Sequence, residues 1–216
     1  MKILNLYSCL GGNRYKWNDV KEDIEVTAVE YDPEIANLYQ ERFPNDTVIV
    51  GDAHQYLLDN YSNFDFIWSS PPCPTHSKAR FARRSTTSAA YPDMRLYEEI
   101  VFLQNWFEGR FCVENVVPYY EPLIEANKRG RHLYWTNFDI PKDLGARASG
   151  TGLMNGKGVT NEVDKWCEFH EYNFRQYKGS QRRDKIARNL VDYEVGKNIF
   201  KAALGIEQDK KQIELF

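Results

Sequence analysis

Through the first 140 residues of the chain, apolar positions fall into two alternating kinds of block. Short continuous runs, rich in β-branched and aromatic residues, cover Ile3–Ser8, Ile24–Tyr31, Thr47–Val50, Phe64–Ser69, Arg110–Val116 and Arg131–Phe138. Runs of this length and composition predict strands buried on both faces. Between them, apolar residues recur at helical spacing over Pro33–Phe43, His54–Asn60, Met94–Phe107 and Tyr120–Asn127. In the third of these, Leu96, Ile100, Leu103 and Phe107 form one stripe. Pro33 sits where a first helical turn tolerates proline. This alternation predicts an α/β fold with a doubly wound, mostly parallel sheet.

The pattern changes in two places. After Cys73 the chain is polar and irregular through Ala90. After Pro141 it turns glycine-rich, with Gly145, Gly150, Gly152, Gly156 and Gly158, and then aromatic, with Trp166, Phe169, His170, Tyr172, Phe174 and Tyr177. So many glycines exclude a helix or a central strand. Residues 141–181 therefore read as a small, largely irregular insertion, its aromatics mostly forming a mini-core. A helix near Tyr193–Leu204 returns the chain to the main domain. The division is 1–140, 141–181 and 182–216, within the size of one domain plus an appendage.

Composition adds limits. Hydrophobic residues make up 42% and charged residues 27% of the 216, which is ordinary for a globular protein. No apolar run approaches the roughly 18 residues of a membrane-spanning helix. The first residues are too soon polar for a signal peptide. The four cysteines, Cys9, Cys73, Cys112 and Cys167, form no C-x-x-C pair and stand at no metal-ligand spacing with histidine. A reduced, cytoplasmic protein without metal is the simplest expectation. The net charge of −3 argues against a nucleic-acid partner, but its distribution argues the other way. Residues 1–74 carry a net −7 and residues 75–188 a net +5. The cations bunch at Lys78/Arg80/Arg83/Arg84, at Lys128/Arg129/Arg131 and at Lys178/Arg182/Arg183/Lys185/Arg188. A positive stretch on an acidic body fits a polyanion.

Candidate chemistry lies at the predicted strand ends, where open α/β sheets bind ligands. Phe64–Ser69 runs into Ser70-Pro71-Pro72-Cys73, a turn in which two prolines fix φ and remove two donors. The turn delivers a thiol. Phe111–Val116 delivers Glu114, 41 residues on but at the neighbouring strand end. A thiol nucleophile beside a proton-carrying carboxyl is the pair needed to add to C6 of cytosine while engaging N3. In the first half, Tyr7-Ser8-Cys9-Leu10-Gly11-Gly12 allows close backbone approach, and a following helix would offer its N-terminal N–H groups. Glu30, 19 residues past Gly11, is placed for ribose hydroxyls, and Asp52 for an adenine amino group. NAD is the competing ligand. The G-x-G-x-x-G signature is absent and the thiol has no part in hydride transfer, so a methyl-donating adenosyl cofactor fits better.

Ser70-Pro71-Pro72-Cys73 followed by Glu114-Asn115-Val116 resembles the DNA cytosine-5 methyltransferase family, whose Pro-Cys and Glu-Asn-Val motifs occur in this order. The first loop, Glu30-Tyr31-Asp32, Gly51-Asp52, Asn127-Lys128-Arg129-Gly130-Arg131 and Arg188-Asn189-Leu190-Val191 resemble further family motifs. Four positions depart from them: Cys9 and Arg188 replace glycines, and Pro74 and Asn127 replace glutamines.

The resemblance implies a class I, Rossmann-like methyltransferase using S-adenosyl-L-methionine. It implies catalytic roles for Cys73, Glu114, Arg131 and Arg129, with Arg131 holding the flipped base. Its implied cofactor contacts are Tyr7, Ser8, Cys9, Leu10, Gly11, Gly12, Glu30, Tyr31, Asp52, Ala53, Ser70, Pro72, Asn189 and Val191. Lys78, Arg80, Arg83, Arg84, Arg182 and Arg183 are expected at nucleic acid, and 141–181 as a minimal target-recognition segment reading roughly two to four base pairs. The implied partner is double-stranded DNA, from which the cytosine is extruded. A monomer with no membrane partner, prokaryotic or phage-encoded and of a restriction-modification system, is the matching expectation. An RNA cytosine-5 methyltransferase and a catalytically silent DNA- or cofactor-binding module remain open alternatives.

Overall fold

The computed structural model describes residues 1–147 and 159–206. Seven strands form one sheet in the order β3-β2-β1-β4-β5-β7-β6. They are β1 (Lys2–Leu6), β2 (Glu25–Glu30), β3 (Thr47–Val50), β4 (Phe66–Ser69), β5 (Arg110–Val116), β6 (Asn127–Arg129) and β7 (His132–Thr136). The first five are mutually parallel, and β7 runs antiparallel to both β5 and β6. β4 is buried at every position and β1 at all but its first, as expected of strands covered on both faces.

Helices α1 (Pro33–Arg42), α2 (Ala53–Asn60), α4 (Arg95–Trp106) and α7 (Tyr193–Ala203) fall where the apolar periodicity puts them. Asp32 and Asp52 cap the first two through their side chains, and Asp192 caps the last. Each such cap satisfies N–H groups that a helix start leaves open. Two main clusters fill the core. One gathers Leu4, Leu6, Ile67, Ile100, Leu103 and Phe111; the other gathers Trp17, Phe66, Trp68, Ile199 and Phe200. Trp17 is fully buried, and full burial of each such large side chain stabilises by roughly 1.5–3 kcal/mol.

The structure corrects four expectations. No helix follows Gly12; residues 13–23 make only turns, because their side chains are tied elsewhere. Asn13 Nδ2 donates to Asn5 Oδ1 at 2.8 Å, and Arg14 makes a bidentate contact with Asp46 at 2.9 and 3.0 Å. The expected helix over Tyr120–Asn127 is absent. Pro122 removes a donor in its middle and biases Glu121 away from helical ψ, and Tyr120 and Leu123 find partners in His76 and Tyr97. The segment instead ends in the edge strand β6, joined to β7 through Gly130 at φ +58°. A short helix, α3 (Lys78–Ala82), stands in the segment expected to be irregular, capped by Ser77. The aromatic part of the insertion is also ordered. Helix α5 (Val159–His170) carries Trp166, which packs with Phe174 and Tyr177 against Leu10, Ile35 and Leu38 of the main domain and against α6 (Arg183–Asn189). Trp166, Phe174 and Tyr177 form a smaller cluster of their own, as expected of a mini-core, but one seated on the main domain. The remaining glycines of the 145–158 stretch, from Gly150 on, lie outside the described residues.

Candidate active site

β4 and β5 are hydrogen-bonded neighbours, with Ser69 opposite Val113. The chain leaving β4 therefore arrives beside Glu114. Asn115 locks the two together. It is 2% exposed, and its Nδ2 donates to the Pro71 carbonyl at 3.0 Å. Beyond Cys73, the Cys73 carbonyl accepts from the N–H groups of His76 and Ser77, and Tyr119 N–H donates to the His76 carbonyl at 3.1 Å. His76 is buried, with its Nδ1 2.5 Å from the Tyr120 hydroxyl. The nucleophile turn is thus pinned along the segment that follows Glu114.

The Cys73 thiol is partly buried. Burial pushes its pKa up and the Glu114 carboxyl pushes it further, while a backbone hydrogen bond and the cations of Arg131 and Lys185 act in the opposite sense. Cys73, Glu114 and Arg131 therefore share one electrostatic neighbourhood. Lys185, on α6, joins them from a part of the chain that the motifs do not mark. Glu114 is 8% exposed and lies opposite Tyr134 on β7, with His132 Nε2 3.6 Å from its Oε1. Arg129 is employed elsewhere: its guanidinium donates to the carbonyls of Pro141 at 2.6 Å, Ile140 at 3.0 Å and Lys128 at 2.9 Å. Such contacts hold the hairpin against the chain leaving β7.

The first-half loops meet at the carboxyl ends of β1, β2 and β3. Tyr7, Cys9 and Gly11 all have positive φ, at +54°, +47° and +67°. Cys9, where the resembled motif has glycine, thus sits where only glycine is free of strain. Its thiol is pushed up to about 12, first by burial and then by Glu30. It is no rival nucleophile. Glu30 accepts from Cys9 N–H at 2.9 Å and from Asp32 N–H at 3.0 Å, so it shapes both loops. Burial raises its pKa. Gly12 packs on the late motif: a Cβ there would lie 2.3 Å from the Val191 carbonyl oxygen. Ser8 is 4% exposed, and its Oγ is buried without a hydrogen-bond partner among the described residues. Leu10 and Ala53 are buried, Ser70 Oγ accepts from Trp68 Nε1 at 2.8 Å, and Tyr31, Pro72 and Asn189 are exposed.

The basic groups divide. Arg83 and Arg84 stand exposed on or beside α3 with Lys78, and Arg80 Nη2 holds the Ser88 carbonyl at 2.8 Å. Arg182 pairs with Asp184 at 2.9 Å, and Arg183 Nε donates to the Tyr177 carbonyl at 2.9 Å. Among the described residues no cluster of His, Cys, Asp and Glu could hold a metal ion, and no helix is long and apolar enough to cross a membrane.

A doubly wound sheet with an antiparallel β7, carrying these loops at its strand ends, defines an α/β protein of the class I methyltransferase type. The chain belongs to the C-5 cytosine-specific DNA methylase family, whose model matches residues 1–117, more than half of the 216. Similar solved structures include a DNMT2 mutant from Spodoptera frugiperda, at 26% identity and a TM-score of 0.39, covering 53% of this chain and 35% of that one. TrmN from Thermus thermophilus has 14% identity and a TM-score of 0.41, covering 62% and 42%. A TehB-like SAM-dependent methyltransferase from Corynebacterium glutamicum has 17% identity and a TM-score of 0.35, covering 53% and 54%. The match thus spans about half or less of each of these three chains. No curated protein matches.

Proposed function

We propose that this methyltransferase acts on C5 of cytosine in DNA through a covalent adduct at Cys73. The observation that carries the reading is the junction of the two strand ends: Asn115 ties the nucleophile turn to the segment bearing Glu114, and the thiol feels that carboxyl directly. The thiol passes its proton to solvent, and its sulfur adds to C6 of an extruded cytosine. Glu114 holds the proton shared with N3, and the ring's electrons collect at C5. S-adenosyl-L-methionine supplies an electrophilic methyl group when bound. Loss of the C5 proton to solvent then expels the thiolate and restores the ring. Arg131 steadies the base, and the cations of α3 meet phosphates.

The loops fit that cofactor on two counts. Ser8 Oγ is a buried polar atom without a partner among the described residues, which a bound polar group would satisfy. The three left-handed residues at Tyr7, Cys9 and Gly11 hold the backbone in a concave turn suited to close approach. Glu30 would face the ribose and Asp52 the adenine. The test is capture of oligonucleotides containing 5-fluorocytosine, as DNA and as RNA, in the presence of the cofactor. The expected result is a denaturant-stable adduct with DNA that Cys73→Ala abolishes. Capture of RNA alone would transfer the reading to an RNA methyltransferase, and capture through another residue would remove Cys73 from its role.

A further inference from the structure

We propose that Glu99 is a positioning residue for the cofactor site, holding three strand-end loops in register through Tyr7, His54 and Ser69. The inference rests on the adenosyl-cofactor reading of those loops. Glu99 lies on α4 beside the apolar stripe of Leu96, Ile100 and Leu103, is 1% exposed, and would serve the core better as a hydrophobic residue. A buried carboxyl is costly unless it is bonded. This one accepts from the Tyr7 hydroxyl at 2.6 Å and from the Ser69 hydroxyl at 2.6 Å, and its Oε1 is 3.0 Å from His54 Nδ1. No Lys or Arg side chain is recorded on it among the described residues.

Each partner stands next to a predicted cofactor contact. Tyr7 opens the β1 loop and is itself one. His54 is two residues past Asp52 and follows Ala53, and Ser69 ends β4 just before Ser70. Tyr7 is at φ +54°, a conformation that costs a residue with a β-carbon about 1–2 kcal/mol. Its phenol is anchored on the far side of the loop, which opposes relaxation to ordinary φ. Burial first, and then Glu99, keeps that phenol's pKa well above its usual value, so it stays a donor. The groups facing His54 are Glu99, Glu98 Oε2 at 3.3 Å from Nε2, and Arg95, which lies 3.8 Å from Asp52. The hydrogen bond to Glu99 outweighs burial and Arg95, and holds the imidazole above 6.5. The protonated ring's contribution is therefore complete below pH 6.5 and is lost as pH rises through the raised value. A cavity of about 180 Å³ lined by His54, Glu98, Glu99 and Phe102 adjoins the network.

Calorimetric titration of the full chain with S-adenosyl-L-methionine at pH 6 and pH 9 tests this, using wild type, Glu99→Gln, Tyr7→Phe and His54→Gln. Removing one hydrogen bond to a charged group predicts about tenfold or greater weakening for Glu99→Gln, and about threefold to tenfold for Tyr7→Phe, which keeps the ring and its packing. The gap between wild type and His54→Gln should be widest at pH 6 and shrink at pH 9. A purely architectural carboxyl would lower melting temperatures without that convergence, so a gap independent of pH overturns the inference. Tight binding by wild type with equal binding by Glu99→Gln and Tyr7→Phe overturns it while leaving the cofactor reading intact. Wild type that fails to bind overturns both.

Discussion

Asn115 offers the most direct probe of how this chain assembles its reacting groups. Replacing it with alanine removes the Nδ2 that donates to the Pro71 carbonyl at 3.0 Å, in a position 2% exposed. A buried carbonyl left without its donor costs about 1–3 kcal/mol. For a chain of this length each kcal/mol lowers the melting temperature by about 2–4 °C, so a fall of roughly 2–12 °C is expected. The functional loss should be larger in proportion. That bond fixes the turn delivering Cys73 against the segment bearing Glu114, and a displacement of about 1 Å can cost on the order of 100-fold in rate. Asn115→Asp should be worse than alanine, because an oxygen would then face the Pro71 oxygen. The assays are thermal melting and the rate of covalent capture on 5-fluorocytosine DNA. If Asn115→Ala melts like wild type and captures at the same rate, the junction of the two loops is not held as described.

Three further outcomes are expected. Alkylation of Cys73 by iodoacetamide, followed by mass spectrometry, should speed up with pH through a midpoint above the ordinary thiol value of 9.0. Glu114→Gln should lower that midpoint but not restore it, since burial is the larger cause; an unmoved midpoint would separate the two groups. Gly12→Ala drives a Cβ to 2.3 Å from the Val191 oxygen and 2.8 Å from Leu190 Cγ, an overpacking worth about 1–3 kcal/mol in urea unfolding. Gly51→Ala, with nothing nearer than 4.0 Å, should stay within about 0.5 kcal/mol. Asp46→Asn strips the charge partner from Arg14 and leaves one oxygen where two served the Arg14 guanidinium and the Tyr39 hydroxyl. Breaking so buried a pair is expected to destabilise by about 3–5 kcal/mol.

What the chain discloses before folding is what its local pattern determines. The runs over Ile3–Ser8 and Phe64–Ser69 are mostly apolar, and they supply the central strands β1 and β4. Pro33 marks a first helical turn, and α1 begins there. Cys73 and Glu114 are readable as neighbours although 41 residues apart, because consecutive parallel strands end side by side. The misreadings have more than one cause, and the first is partners distant in sequence. Residues after Gly12 stay in turns because Arg14 reaches Asp46 and Trp17 reaches the second core cluster. The 120–127 stretch keeps a helical spacing of apolar residues, yet Pro122 and the tyrosine contacts decide its shape. Helix α5 was hidden by the glycines before it. Glu99 was invisible because Glu98, its neighbour, looks identical in sequence and has a side chain 61% exposed, while that of Glu99 is 0% exposed.

The charge arrangement around Cys73 bears on when the nucleophile forms. Opposing influences act on one thiol: burial and Glu114 favour the neutral form, and a backbone hydrogen bond, Arg131 and Lys185 the thiolate. Arg131 and Lys185 are solvent-exposed, and so are weakened by water and salt. Glu114 is buried and is not. The resting balance therefore leans towards the unreactive thiol, which guards against stray electrophiles. In the proposed reaction a cytosine entering between the two strand ends expels that water, and a proton taken up from solvent comes to be shared between Glu114 and the base's N3 lone pair. The first change strengthens both cations, and the second removes the carboxylate's repulsion of a forming thiolate. Base entry would thus shift the same balance from both sides, with no dedicated base needed beside the sulfur. Glu114→Gln separates these effects: it relieves the free thiol, yet takes away the group that answers to N3. It should react faster than wild type with iodoacetamide near neutral pH while capturing 5-fluorocytosine DNA more slowly, a reversal that a simple loss of structure would not produce.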